Sequence, residues 1–303
     1  RSTLSPSSAA SDVYKRQDDA LAAVGATGSI TYLFYTLCIG LSVGAGIIAA
    51  QYFGAGKKKA LRSAVFNSAL VTAIFGIVIS LLSVPAARPI LELLKVPDKL
   101  IGDSVAYMQI ACGGTIAVAA YNWINAIMRA LGDSKTPLIF LGAASLLNAL
   151  LDLLFVVVFK FGIAGAAWAT VLTQALSAIS CIVYCFAVSG EIKLTADDLH
   201  TDKEMMSRCV KTGVPIAIQN GLISVSMVAL QRVTNGFGET VMAAYTVSMR
   251  IEQFVQQPFS SLNAAVSTFT GQNIGAGTEK RAQKGLALSL IHISEPTRLL
   301  SIS

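Results

Sequence analysis

The sequence predicts an all-α, polytopic membrane protein built from two similar halves. Hydrophobic residues make up 54% of the 303 positions and charged residues only 13%, whereas soluble domains carry roughly 25% charge. Six long stretches contain no charged residue: 20–56, 63–87, 104–128, 161–190, 212–231 and 253–278. A membrane-spanning helix needs about 20 mostly apolar residues. These stretches therefore indicate membrane spans rather than buried helices of a soluble domain.

One motif occurs twice, and it predicts the two halves. Gln51 begins the sequence Gln-Tyr-Phe-Gly-Ala-Gly, and Gln272, 221 positions later, begins Gln-Asn-Ile-Gly-Ala-Gly. In both copies a long apolar stretch ends at the motif and basic residues follow it. Duplication of membrane-like sequence is typical of transporters made from two structural repeats. The Gly-Ala-Gly loops themselves are expected to be helix C-terminal turns, in which glycine adopts left-handed geometry.

The uncharged stretches, with the helix-start and proline signals between them, predict seven complete spans and the start of an eighth. The seven are 20–53, 64–84, 102–128, 137–159, 163–188, 212–235 and 240–271, and the eighth begins near Gln283. Thr136-Pro137 is a helix-start signal. Pro85, Pro89 and Pro97 predict a loop after the second span, because proline interrupts helical hydrogen bonding.

The domain prediction divides the chain into five segments. Residues 18–190 form a first helical bundle, 191–211 a cytoplasmic linker, and 212–288 the start of a second bundle. Residues 1–17 and 289–303 resemble translated adaptor or cloning sequence, so both are expected to be non-native tails. The second copy has an apolar helix before Glu239, whereas the first has only the polar tail before Asp18. We therefore expect the first bundle to lack its first helix.

The loop charges predict the orientation. Thirteen loop Lys and Arg residues lie on the side that carries the Gly-Ala-Gly loops and four on the other side, which assigns those loops to the cytoplasm. The two copies lie six spans apart, so they share one orientation and the repeat is parallel. The basic residues occur in short clusters without an accompanying aromatic face, so no nucleic-acid partner is expected.

Several motifs together resemble the multidrug and toxic compound extrusion (MATE) transporters. The motifs are Gln51 to Arg62, Arg129-Ala-Leu-Gly-Asp-Ser-Lys-Thr-Pro137, Asn148-Ala-Leu-Leu-Asp152, Gly165-Ala-Ala-Trp-Ala-Thr170 and Gly213-Val-Pro215. The resemblance covers about Asp18 to Leu288. It implies two six-helix bundles around a central cavity, of which this chain holds helices two to eight. It also implies exchange of Na⁺ or H⁺ for organic, often cationic, compounds that move outward.

Asp152 is the main functional candidate, because it lies between leucines inside an apolar helix. A carboxylate at such depth costs about 2.5–3.5 kcal/mol on insertion scales. Asn148 lies four residues earlier and shares its face, and carboxylate and amide oxygens suit a hard cation. The resemblance adds Asn125 and Thr170 to this cation site, and it implies a further Asp on the first helix. A structural alternative stays open: Asp152 lies near the helix end, close to Lys160, and only packs or snorkels.

Further polar residues within the spans are candidates for lining a substrate cavity. They are Asn122, Gln174, Gln219, Asn220, Arg250, Glu252 and Gln256. Uncharged polar side chains also hold membrane helices together, and the sequence does not separate the two roles. We expect no cofactor and no metal apart from Na⁺ at Asp152, with Na⁺ or H⁺ as the coupling ion. The expected partners are the lipid bilayer and small organic substrates, for a monomer in a bacterial plasma membrane.

Three hypotheses for the function follow. The first is a cation-coupled antiporter that exports organic, drug-like compounds. The second is a flippase for lipid-linked oligosaccharides or cell-wall precursors, from the same wider superfamily; a flippase should have a basic cavity, and here the spans hold only Arg232 and Arg250. The third is a non-transporting membrane scaffold or an inactive fragment. The chain shows no Ser/His/Asp set, metal-binding motif or nucleotide loop, so we do not expect an enzyme.

Overall fold

The computed structural model describes residues 6–94, 96–188, 192–193, 198–235, 237 and 239–299. Side chains are described between Thr27 and Ser289, except at a few positions, one of which is Arg232. The described elements are α1 (Pro6–Gly54), α2 (Lys58–Leu93), α3 (Asp98–Gly113), α4 (Thr115–Ala130), α5 (Lys135–Asp152), a π-helical segment (Leu153–Val158), α6 (Gly162–Val188), α7 (Lys203–Asn235), α8 (Glu239–Gly275) and α9 (Glu279–Leu299). The predicted all-α class is confirmed.

The helices extend beyond the predicted spans. α1 begins at Pro6 and α9 continues to Leu299, so both reach into the segments expected to be tails. α7 begins at Lys203, within the predicted linker, because the Asp202 carboxylate caps its first turn. That carboxylate accepts hydrogen bonds from the Glu204 N–H at 2.9 Å and the Met205 N–H at 3.1 Å. A short polar side chain before a helix commonly satisfies the unpaired N–H groups of the first turn in this way.

The loop predicted from the prolines is wrong for two of the three. Pro85 and Pro89 lie inside α2, which continues to Leu93, and only Pro97 lies outside a helix, as the residue before α3. Each internal proline removes one hydrogen bond from the helical ladder. Inside a bilayer, a helix that lacks one or two hydrogen bonds costs less free energy than an irregular loop, because many unpaired backbone groups of the loop would face hydrocarbon.

The third predicted span is broken near its middle. α3 ends at Gly113 and α4 begins at Thr115, with a bend of 41° between them. A Cβ atom at Gly114 would overlap the side chain of Val171 in α6. Glycine at the break therefore allows α6 to pack directly against the bend, a contact that an apolar sequence pattern alone does not predict.

By length and composition, four of the described helices could cross a membrane, or five when the bent α3–α4 pair is one span. These are residues 30–54, α2, α5 with its π-helical segment, and α6. α7 and α8 are helical over the two remaining predicted spans. They carry polar side chains such as Gln219, Asn220 and Glu252, so hydropathy alone does not identify them as spans.

α1 is the central helix of the described structure. It packs against α2, α3 and α4 of the first bundle and also against α7 and α8. A cluster of buried side chains that includes Ala45, Ala49, Leu61, Ile124 and Ile127 joins α1, α2 and α4. Because α1 contacts both halves, its small residues determine how closely the halves approach.

The segment between the halves is held to the first bundle by Asn67. This side chain on α2 is fully buried. Its amide nitrogen donates to the His200 carbonyl oxygen at 3.3 Å, and its amide oxygen accepts from the Asp202 N–H at 2.8 Å. The middle of the predicted linker is therefore fixed to α2 by two hydrogen bonds between its backbone and the Asn67 side chain.

The two copies of the duplicated motif contact each other. A Cβ atom at Gly54 would overlap the backbone of Gln272, and a Cβ atom at Gly275 would overlap the backbone of Gln51. A Cβ atom at Gly271 would lie 3.0 Å from the Cβ of Ala50. α1 and α8 therefore cross in backbone contact at the motifs. We call this contact the motif crossing.

The contacts at the motif crossing follow the sequence repeat. Ala50 and Gly271 occupy equivalent positions in the two copies. The glycine of each copy contacts the glutamine that begins the other copy: Gly54 contacts Gln272, and Gly275 contacts Gln51. Reciprocal contacts of this kind define a local two-fold axis, as in an isologous interface.

Closer to the N-terminus of α1, small residues allow a second close approach, this time to α7. A Cβ atom at Gly44 would lie 2.6 Å from the Cα of Gly213, and one at Gly40 would overlap Ala217. α1 thus contacts α7 through the Gly213-Val-Pro215 motif. Close approach through small residues is the usual way in which membrane helices gain packing energy.

Replacing Gly54 by alanine should destabilise the motif crossing, since the added methyl group has no space beside the Gln272 backbone. Overpacking of this kind typically costs about 1–3 kcal/mol. Thermal unfolding of the purified chain in detergent measures the effect. Gly142→Ala is the matched control, because nothing lies within 4 Å of a Cβ atom there. Equal melting temperatures for Gly54→Ala and the parent chain would contradict the crossing.

Candidate functional site

Asp152 is the last residue of α5, and the backbone changes from α-helical to π-helical geometry immediately after it. The side chain is half-buried, and its Oδ1 atom is inaccessible to solvent without a hydrogen-bond partner among the described residues. π-helical turns occur frequently at functional sites. A buried carboxylate oxygen without a partner is costly, so it calls for an explanation such as a bound ion or water.

Two of the other predicted ligands also carry buried polar atoms without a partner. Asn148 lies one turn before Asp152 on α5, and its Nδ2 atom is unpaired in the described structure. Asn125 is buried on α4 with its Oδ1 atom unpaired. Rotation of the Asn148 amide exchanges its oxygen and nitrogen, so the same position can present an oxygen to a cation.

The fourth predicted ligand, Thr170, lies on α6 and is half-buried. Its hydroxyl donates a hydrogen bond to the Ala166 carbonyl of its own helix at 3.1 Å. This leaves the lone pairs of the hydroxyl oxygen free to accept a hydrogen bond or to bind a cation. The four predicted residues thus lie on α4, α5 and α6, and α6 packs against the other two helices.

α6 carries two more buried polar atoms without a described partner. They are the Thr173 hydroxyl and the Gln174 Oε1 atom, the latter on a residue predicted only as cavity-lining. We call the five residues of this kind on α4 beyond its first turn, α5 and α6 the unpaired polar set: Asn125, Asn148, Asp152, Thr173 and Gln174. Other buried polar atoms without a described partner are on Thr31, Ser104, Thr115 and Tyr245. Sequence analysis missed Thr173, although its position three residues after Thr170 places it on a neighbouring part of the same helix face.

Tyr107 is another residue that the sequence analysis missed. It lies on α3, and Asp152 is close enough to interact electrostatically with its phenol. α3 packs against α6 as well. Tyr107 thus adds a phenol to the electrostatic surroundings of the Asp152 carboxylate.

The remaining predicted cavity residues are less constrained. Asn122 is half-buried and donates to the Val118 carbonyl oxygen of its own helix at 2.8 Å. Asn220 is half-buried on α7, whereas Gln219 on α7 and three residues on α8 are exposed. Those three are Arg250, Glu252 and Gln256. Among the described residues, these do not carry a buried polar atom without a partner, so they do not belong to the unpaired polar set.

Replacing Thr173 by valine should stabilise the chain in Na⁺-free buffer. Valine keeps the shape but removes a buried hydroxyl without a partner, and such an unpaired group costs about 1–3 kcal/mol. Thr170→Val is the matched control; it removes a bonded hydroxyl and should be neutral or destabilising. Thermal unfolding in detergent measures both. A clear loss of stability in Thr173→Val would show that this hydroxyl is hydrogen-bonded in the ion-free chain.

Comparison with known proteins places this arrangement in context. The MatE family model matches residues 11–154 and 215–293, which is well over half of the chain. The chain is 31% identical over 264 residues to the probable multidrug resistance protein YpnP of Bacillus subtilis (strain 168), a match that covers 86% of the chain and 58% of that protein. It is 30% identical over 279 residues to YoeA of the same organism, also a probable multidrug resistance protein, covering 90% of the chain and 60% of YoeA.

The fold is also similar to solved structures. A crystal structure of a MATE protein in the bent conformation superposes with a TM-score of 0.85 at 24% identity. The superposition covers 94% of this chain and 64% of that protein. The chain thus spans less than two thirds of the length of each of these three proteins.

Proposed function

Because the chain belongs to the MatE family of multidrug and toxic compound extrusion proteins, we propose that its gene product is a secondary active transporter. It exports organic, drug-like compounds, often cationic, in exchange for Na⁺ or H⁺. The observation that carries this proposal is the unpaired polar set in the first bundle, which includes Asp152. Neither a flippase nor a scaffold needs a buried carboxylate oxygen that has no protein partner.

The chemistry of the set suits a small cation. Asp152 supplies a formal negative charge, and the amide and hydroxyl oxygens of Asn125, Asn148 and Thr173 supply neutral ligands. Hard cations prefer such oxygen ligands. A proton can occupy the same place by binding the Asp152 carboxylate, so the site is compatible with coupling to either ion. Thr170 contributes its hydroxyl oxygen to this set in the proposal.

The substrate path lies beside the cation site in this proposal. Gln174 shares α6 with Thr170, and Asn122 shares α4 with Asn125. Gln219, Asn220, Arg250, Glu252 and Gln256 on α7 and α8 line the side of the second half. A cation bound at Asp152 changes the charge of the first bundle by one unit, and this change couples ion binding to the affinity for a cationic substrate.

We also propose a location in the bacterial plasma membrane with the Gly-Ala-Gly loops in the cytoplasm. Basic residues follow both motifs, at Lys57 to Lys59 in the first copy and at Lys280 and Arg281 in the second. Cationic loops favour the cytoplasmic side and anionic headgroups attract them. The protein functions as a monomer in this proposal, and it needs no cofactor apart from the coupling ion.

Cation binding can be tested on the chain itself, which holds the unpaired polar set, and on the full-length gene product, which also supplies the Asp that the resemblance implies on the first helix. A ligand at 100 times its Kd raises the free energy of unfolding by about 2.7 kcal/mol. We expect Na⁺, compared with K⁺ at equal ionic strength, to raise the melting temperature of the parent chain in detergent. Asp152→Asn should abolish the rise, whereas Asp103→Asn, an exposed carboxylate on α3, should retain it.

Transport is measured with the full-length gene product in inverted membrane vesicles. Asp152→Asn should abolish drug uptake driven by a Na⁺ gradient or a pH gradient, while membrane insertion and Asp103→Asn activity stay at the parent level. A proton-coupled transporter would show no Na⁺ effect on melting but would still lose its pH-driven uptake in Asp152→Asn. Undiminished uptake by Asp152→Asn would sink the assignment of the cation site.

A further inference from the structure

A cavity of about 560 Å³ lies between the turn that joins α4 to α5 and one face of α8. It is next to the motif crossing, because Gln272 lines it and also contacts Gly54. Its polar lining consists of Arg129, Ser134, Ser260, Ser261, Thr268 and Gln272. This lining contains one cation, four hydroxyls and one amide, and no carboxylate. The cavity is therefore positively charged and rich in hydrogen-bond donors.

Arg129 supplies the positive charge. It lies half-buried in the last turn of α4. No described carboxylate lies within 4.0 Å of its guanidinium, and its electrostatic neighbour is the neutral phenol of Tyr121. The dipole at the C-terminus of α4 offsets only about half a charge. A partly buried guanidinium with five N–H donors is expected to have an anionic partner.

The acidic residue nearest in sequence is not that partner. Asp133 accepts hydrogen bonds from the Lys135 N–H at 3.1 Å and the Thr136 N–H at 3.0 Å, and so caps α5. It lines a different cavity, beside Cys185. Burial alone would raise the pKa of the Asp133 carboxyl, but these hydrogen bonds from Thr136 and Lys135 outweigh burial and hold the pKa below its usual value. Asp133 is thus ionised, but its carboxylate accepts hydrogen bonds within the turn rather than from Arg129.

The α8 face of the cavity carries three residues with hydroxyl groups. Ser260, Ser261 and Thr268 lie on this face, together with Gln272. The Gln272 amide donates to the Ala130 carbonyl at the end of α4 at 2.8 Å, which joins α8 to α4 beside the cavity. The Ser261 hydroxyl donates to the Gln257 carbonyl oxygen of its own helix at 3.0 Å, so it must rotate to donate to a ligand, as serine and threonine hydroxyls can. Both walls therefore offer donors to one bound group.

We propose that this cavity binds an oxyanion, the phosphate or carboxylate group of a small molecule or a lipid headgroup, between Arg129 and the α8 hydroxyls. The planar guanidinium binds two oxygens of such a group at once. The ligand is an anion at the seam between the halves, so the inference is independent of the cation site at Asp152. A bound oxyanion joins the end of α4 to α8 and adds to the contacts of the motif crossing.

Inorganic phosphate is the first probe, tested on the full chain in zwitterionic phosphatidylcholine nanodiscs. We expect saturable phosphate binding that chloride at equal ionic strength does not replace. Arg129→Gln should weaken the binding at least about tenfold, which corresponds to the loss of about 1.4 kcal/mol of binding free energy. Arg129→Lys should bind more weakly than the parent because a lysine ammonium does not bind two oxygens side by side. Arg88→Gln, a surface arginine paired with Glu92, should bind like the parent.

Two further experiments identify the source of the oxyanion and test the proposal even if Arg129→Gln misfolds. Nanodiscs that contain phosphatidylglycerol, without free phosphate, test the lipid source by Arg129-dependent lipid retention. Ala265→Leu fills the cavity without changing any charge, and it should abolish binding in a chain that melts normally even if Arg129→Gln folds poorly. Arg129-dependent binding in either arm supports the proposal. Binding in neither arm, or equal binding by the parent chain and Ala265→Leu, overturns it.

Discussion

The backbone contact between α1 and α8 at the duplicated motif is the constraint on which the rest of the structure depends. Gly54 and Gly275 lie against the backbones of Gln272 and Gln51, so neither position tolerates a side chain without displacing the other helix. Ala50 and Gly271 lie at the centre of this reciprocal arrangement. Because α1 also packs against α2, α3, α4 and α7, its contact with α8 sets the relation between the two halves.

Two polar regions lie on different parts of this frame. The unpaired polar set lies within the first bundle, on α4, α5 and α6, and includes the Asp152 carboxylate. The cavity at Arg129 lies at the seam, beside the motif crossing, and carries a positive charge. The two regions thus differ in both position and charge: one lies inside the first bundle and the other between the halves.

Much of the helical order follows from the sequence, because apolar runs and helix-start signals are local. The parallel repeat was also predicted, since it depends only on counting spans between the copies. The contact between the copies could not be predicted, because a glycine in a turn and a glycine in a helix crossing look alike in sequence. Pro85 and Pro89 misled the loop prediction, since proline is more tolerated in bilayer helices. Thr173 was missed because a threonine in an apolar helix usually bonds to its own backbone, as Thr170 does.

Cysteine cross-linking measures the motif crossing directly. In a background without the five native cysteines, Ala50→Cys and Gly271→Cys place two thiols on Cβ atoms that lie about 3.0 Å apart. A disulfide needs a Cβ separation of about 3.5–4.5 Å, so a small outward shift of the helices brings the pair into range. Rapid oxidation to an intramolecular disulfide, much faster than in the control pair Gly142→Cys with Gly271→Cys, is the predicted result. Cross-linking no faster than in the control pair would contradict the account that the duplicated motifs hold the halves together.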